Sequence, residues 1–406
     1  MILQNYFPET RSPQPEFMDC FPLPQAAYIH IPFCRRRCYY CDFAISVVGD
    51  KLRGESSQTI AEYLQFLCQE IQQSPNLGKP LETIFFGGGT PSLLDGSQLE
   101  VILKTLEQKF GINPSAEISM EVDPATFDLA QLQDYQRAGV NRFSLGVQSF
   151  QDHLLTLAGR SHRRKDVFHA VDLIHQAHIN NWSLDLISGL PQQTLADWQN
   201  SLETAIKLSP QHISSYDLIV EDGTPFAKQY QPGDQPLPDD RTTADMYVLA
   251  QEMLTKAGYE HYEISNYSRS GKQCLHNRVY WQGESYYGFG MGAASYLNGQ
   301  RFTRPRTRSS YYQWLEDSCV IDTLILTKDE LFLETLMLGL RLQEGLNIQQ
   351  LSAKFGTELA AWTIENLQPY TQRGWVELTD QQISLNDPQG FLFSNEILST
   401  LFSLKM

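Results

Sequence analysis

The stretch Tyr28–Phe43, YIHIPFCRRRCYYCDF, sets a short apolar run directly before three cysteines, Cys34, Cys38 and Cys41, spaced CxxxCxxC. The run reads as a strand and the cysteines as a tight loop at its C-terminal end. Three thiolates on one loop can hold three corners of a [4Fe–4S] cube, leaving the fourth iron open to a small molecule. An all-cysteine electron-transfer cluster needs four thiolates, and a structural zinc site needs four closed ligands. A three-cysteine loop therefore implies chemistry at a vacant position. Spacing alone does not identify a metal, so zinc bound by the three cysteines with Asp42 or His30 stays open as an alternative.

The remaining cysteines (Cys20, Cys68, Cys274 and Cys319) read as ordinary thiols, because seven is an odd number and sparse for 406 residues. The N-terminal segment has no basic region followed by an apolar run, and no stretch is apolar for long enough to span a bilayer. These features fit a reducing cytoplasm. With 31 Lys and Arg against 47 Asp and Glu, the net charge is −16, which argues against non-specific nucleic-acid binding and against an anionic membrane surface. Positive charge is local: Arg35–Arg37, Arg160–Lys165, and Arg301, Arg304, Arg306 and Arg308.

Outward from the cysteines, the chain alternates strand and helix. AAYIHI, ETIFFG, EISMEV, RFSLGV, SLDLIS and HISSYDLIV recur at intervals typical of βα units. Amphipathic helices with recognisable ends lie between them. Ser97 with Glu100 predicts a capping box, Asp128 a cap with Gly139 as a left-handed stop, and Thr194 with Asp197 another start. Six such units imply a parallel sheet with helical crossovers. Gly87–Thr90, Glu121 and Asp123, Gln148 and Ser149, and Asp185 fall at or near successive strand ends. They converge on one point only if the sheet curls, as in an open, partial (β/α)6 TIM-like barrel whose C-terminal face carries the site.

The chain thus divides into an N-terminal extension (1–24), a partial barrel (25–235), a connecting aromatic- and glycine-rich region (236–325) and a C-terminal winged-helix-like α+β domain (326–406). The last has helical segments and a strand pair, GWVEL and QQISL. Its helices are not notably basic, which disfavours DNA binding and leaves packing or partner docking.

Taken together, HIPFCxxxCxYCDF, GGGTP (Gly87–Pro91), SMEVDP, RFSLGVQSF, LAGRSH and DLISGLP resemble the radical-SAM proteins related to oxygen-independent coproporphyrinogen III oxidase, in particular the HemW-type branch, described as haem chaperones. The resemblance spans roughly residues 25–400. It implies that Cys34, Cys38 and Cys41 bind the [4Fe–4S] cluster and that S-adenosylmethionine (SAM) chelates its open iron. Tyr28 and Tyr40 would flank the cofactor, and Gly88, Gly89 and Thr90 would meet its methionine end. Glu121 would take the ribose, with Gln148, Arg160 and Asp185 completing the ribose and carboxylate contacts. A carboxylate accepts from hydroxyls and an arginine pairs a carboxylate, so the residue types suit those roles. For Gln148 and Asp185 a buried polar group bonded within the barrel is the competing reading. Electron injection would cleave SAM to a 5′-deoxyadenosyl radical, with a low-potential donor as partner.

Where the decarboxylating enzyme has a further cysteine, CxxxCxxCxC, this chain has Phe43. The segment HNRVYW (His276, Asn277, Tyr280, Trp281) resembles the HNxxYW signature of the chaperone branch. An imidazole can ligate haem iron and aromatic rings can stack on the macrocycle, making His276 a candidate haem ligand with Arg304 or Arg306 toward the propionates. A hydrogen-bonded structural histidine is the competing reading. Two functions remain: a haem chaperone that passes haem to an acceptor protein, and an oxidoreductase that decarboxylates a tetrapyrrole by radical-SAM chemistry.

Overall fold

The computed structural model describes residues 22–405, apart from 50–53, 55–56, 318 and 320–323. Cys20 and nearly all of the N-terminal extension lie outside the described residues. A nine-stranded sheet dominates the molecule. Its core is six strands in chain order: β1 (Ala26–Ile31), β2 (Leu81–Gly88), β3 (Ile112–Val122), β4 (Arg142–Gln148), β5 (Trp182–Ser188) and β6 (His212–Asp217). All five pairings between them are parallel. Parallel neighbours need long crossovers, supplied by α1 (Gln58–Gln73), α2 (Gly96–Phe110), α3 (Leu129–Ala138), α4 (Arg164–Gln176) and α5 (Leu195–Leu208). Alternation along the strands sorts the faces. On β1, Ala27, Ile29 and Ile31 join the apolar core, while Tyr28 and His30 meet each other through a hydrogen bond of 3.0 Å.

The helix starts follow the chemistry of their caps. Asp128 accepts from the Gln131 amide and Gly139 ends α3 at φ 118°, and Thr194 with Asp197 closes a capping box on α5. The α2 start differs from the Ser97/Glu100 expectation. Asp95 is the cap, accepting from the Gln98 amide at 2.9 Å, and Gln98 returns the bond to the Asp95 amide. Ser97 instead donates to Asp95, and Glu100 pairs with Lys104 one turn on. The carboxylate two residues upstream is the better acceptor and takes the position.

Residues 236–325 do more than connect. After α6 (Asp240–Lys256), β7 (Glu260–Glu263) and β8 (Asn266–Ser268) extend the sheet antiparallel beyond β6. A short helix, α7 (Leu275–Trp281), follows, and β9 (Tyr287–Phe289) then pairs parallel with β1 at the opposite edge. Both flanks of the six-stranded core are thereby covered, which removes its exposed edges. Beyond residue 326, α8 (Lys328–Gly339), α9 (Ile348–Phe355), α10 (Thr357–Gln372) and α11 (Ser394–Lys405) pack around a small antiparallel sheet. They share a second apolar cluster that includes Phe332, Leu336, Leu367, Ile383 and Leu401. This α+β unit joins the main sheet through a bridge between Glu263 and Leu342 and an Ile264 amide to Arg341 carbonyl bond of 3.0 Å.

Candidate functional site: the cysteine cleft and the barrel floor

The strand ends surround a cleft of about 380 Å³. Its wall includes all three loop cysteines, Tyr40, Gly88, Gly89, Thr90, Glu121, Gln148, Arg160 and Asp185. Eleven of the twelve residues expected around the cluster and SAM are thus gathered. The loop is clamped at both ends by a short parallel pairing of Phe33–Cys34 with Ser46–Val47. Below it, His30 Nε2 meets the Ala44 carbonyl at 2.8 Å, and above it Arg306 reaches the Asp42 carboxylate at 3.1 Å.

The glycines after β2 serve close approach. Gly88 sits at φ 110°, and a Cβ there would lie 2.4 Å from the His30 ring. A Cβ on Gly89 would meet the Phe33 carbonyl at 2.7 Å. Only a side-chain-free segment can pass between β1 and the cleft here. Gln148 ends β4 in the left-handed region at φ 66°, a conformation that costs on the order of 1 kcal/mol and aims the residue at the cleft rather than along the strand.

Electrostatics divide the wall. Burial alone would raise the Asp123 carboxyl, but Arg160 and His162 outweigh it and hold it well below the usual carboxylate range. Arg160 donates to Asp123 at 2.6 Å and to the Gly146 carbonyl at 2.8 Å, and its other terminal nitrogen stands 3.5 Å from the Cys38 sulfur. Across the cleft, burial and then the neighbouring Asp185 push Glu121 up to about 8, against one bond from the Gly88 amide. Burial likewise raises Asp185, which accepts from Ser144. One side is therefore a fixed ion pair, and the other two buried carboxyls whose pKa values are both raised. Burial pushes the Cys34 thiol up to about 12, so ionising it calls for a bound cation.

The residues fit an iron–sulfur cubane better than a single ion. Three cysteines share one wall of the cleft, a donor set that suits a cluster held at three corners with one iron left open. The proposed fourth zinc ligands are also engaged: Tyr28 and Ala44 take both nitrogens of His30, and Arg306 takes Asp42.

Two expected residues lie elsewhere. Tyr28 is turned to His30 and the Phe85 ring and does not line the cleft. His276 is sealed at the opposite end of the barrel interior, 1% exposed. Its Nδ1 meets Thr83 at 2.8 Å, its Nε2 meets Tyr280 at 2.9 Å, and its ring stacks on Phe85 at 5.3 Å. Burial lowers its pKa to about 3. Neither nitrogen is open to haem iron in this arrangement. Glu117 on β3 accepts from the Leu275 and His276 amides at 3.3 Å, anchoring the start of α7. The basic expectations change too: Arg304 is buried against Glu70 at 2.7 Å, and Arg306 holds the cysteine loop. Asp123, Ser144 and Tyr216 line the cleft without having been assigned roles. Asp123 follows Glu121 by two residues, Ser144 donates to Asp185, and Tyr216 lies near the end of β6, so the strand-end position that marked the others also marks Asp123 and Tyr216.

Residues 28–205 match the model of the Radical SAM superfamily, and residues 326–393 that of the HemN C-terminal domain. The fold and the cysteine cleft thus define a protein of the radical-SAM class. A solved structure described as coproporphyrinogen III oxidase (HemN) from Escherichia coli, a radical SAM enzyme, superposes with a TM-score of 0.80 at 25% identity, covering 93% of this chain and 90% of that one. Heme chaperone HemW of Synechocystis sp. is 50% identical, over 94% of this chain and 97% of its own length. Heme chaperone HemW of Bacillus subtilis is 36% identical, over 92% and 98%. The chain belongs to the HemW family of radical-SAM proteins.

Proposed function

We propose that the protein is a haem chaperone that binds a [4Fe–4S] cluster, SAM and haem and hands the haem to an acceptor haemoprotein. The observation that carries this reading is the cleft itself, where three cysteines face Arg160, Glu121, Gln148 and Asp185 while Phe43, 58% exposed, occupies the position of a further thiol. Cys34, Cys38 and Cys41 would hold the cluster. When bound, it supplies a low-potential electron, which a separate donor must deliver. Tyr40 would border the nucleoside, Gly88–Thr90 the methionine end, Glu121 and Gln148 the ribose, and Arg160 and Asp185 the remaining polar groups. A cytoplasmic setting suits the free thiols of the loop, and among the described residues no helix is long and apolar enough to cross a membrane.

Anaerobic reconstitution tests the reading. The expected outcome is about four irons per chain, SAM binding that depends on them, stoichiometric haem uptake, and transfer to an apo-haemoprotein. Catalytic conversion of coproporphyrinogen to protoporphyrinogen by the same preparation would replace the chaperone with an oxidoreductase.

A further inference from the structure

One buried carboxylate lies outside the cleft wall and has no part in the chemistry above. Glu70 on α1 is sealed from solvent, and three donors converge on it: the Gly290 amide at 2.8 Å, the Tyr311 hydroxyl at 2.6 Å and the Arg304 guanidinium at 2.7 Å. Gly290 opens a turn directly after β9, closed by the Ala293 amide on the Gly290 carbonyl at 3.1 Å. We propose that Glu70 is a positioning residue for the cysteine loop, holding this turn as the seat for the limb that leaves Cys41. The assignment rests on the cluster reading above.

The path from Glu70 to that limb is continuous. A Cβ on Gly292 would stand 2.5 Å from the Ala44 Cβ, so the turn and the limb meet with no room for a side chain between them. The Met291 amide donates to the Tyr63 hydroxyl at 3.1 Å, and that hydroxyl donates to the His30 carbonyl at 2.7 Å. The His30 ring in turn meets the Ala44 carbonyl. The Gly292 amide donates to the Pro305 carbonyl at 2.9 Å, and the next residue, Arg306, reaches Asp42. Tyr63 and Glu70 stand two turns apart on α1, so one helix face carries both anchors.

Stability alone does not call for a charge at this place. A buried ion pair roughly balances its attraction against lost hydration, and apolar side chains of similar volume commonly hold a fold as well. What the carboxylate adds is direction, because it orders an amide, a hydroxyl and a guanidinium around one point. The loop has a use for that order: its three thiolates must meet three corners of one cube, and the exposure of the sulfurs tunes the cluster.

The test uses the full-length chain with Glu70→Gln, and with Glu70→Leu and Arg304→Met combined. The double variant removes both charges at once and avoids stranding Arg304 in the core. In the cluster-free chain, well below its melting temperature, Cys41 should be alkylated about tenfold faster than in wild type, the effect of one lost hydrogen bond on local opening. Cys34, on the limb continuous with β1, should change less. Loaded anaerobically, the same variants should bleach faster in air. Unchanged alkylation of Cys41 in a folded variant would overturn the positioning role, and so would equal acceleration at Cys34 and Cys41, which marks general loosening. Either result leaves the cluster reading intact. Wild-type protein that takes up no iron would sink the cluster reading, and the role of Glu70 with it.

Discussion

The two ends of the barrel interior carry similar residues and do opposite things with them. At the mouth, thiols, carboxyls and an arginine border an open cleft, and much of their bonding capacity faces it. At the floor, buried His276 is taken at both ring nitrogens by Thr83 and Tyr280, and buried Glu117 holds the amides that open α7. A motif residue becomes a binding group only where the fold leaves its atoms something to bind. Where every partner is internal, the same chemistry is structural.

Substitutions separate the two ends. Cys38→Ser should abolish cluster retention, read as iron content and visible absorbance, while thermal stability of the apo chain stays near wild type; full cluster loading would contradict the three-thiol assignment. Arg160→Ala leaves Asp123 buried without its cation and should cost about 3–5 kcal/mol in denaturant unfolding as well as SAM affinity. A loss of affinity with no stability change would mean the ion pair is not buried as described.

Glu121 gives a pH signature. Its folded pKa, about 8, lies above its ordinary 4.5, so the folded chain holds the proton more tightly than the unfolded one. The stability it contributes is complete below about 4.5 and declines as pH rises toward 8, by an amount on the order of a few kcal/mol. Glu121→Gln should flatten that decline in melting temperature; parallel wild-type and variant curves would assign the slope to another group. At the floor, His276→Ala strands Thr83 and Tyr280 and should destabilise by about 2–4 kcal/mol with cluster content untouched. If instead haem uptake vanished at unchanged stability, the histidine would be a ligand and the contrast between the ends would fail. Arg306→Ala breaks an exposed pair worth about 0–1 kcal/mol, so the melt should stay put while the cluster bleaches faster in air.

Much of this was legible beforehand. Short β-branched and aromatic runs at regular intervals mark the six strands, and polar residues recurring at strand ends mark the barrel. The cysteine spacing and Gly87–Pro91 marked the mouth directly. The departures have physical causes. Asp95 displaced Ser97 as a cap because carboxylate acceptors compete and the sequence offers several. Arg304 meets Glu70, 234 positions away, and nothing local in the sequence signals that pairing. His276 looked like a ligand because spacing reveals residue type, whereas its satisfaction by Thr83 depends on how β2 and α7 meet in space. The three edge strands are short, and their pairing is fixed by the strands they cover.

One strand reaches both ends. Glu117 and Glu121 lie on the same face of β3, four residues and thus ~13 Å apart, the first gripping the opening turn of α7 and the second bordering the cleft. A single strand thus sets the spacing between the cleft and the opening turn of the helix that carries Tyr280 and Trp281.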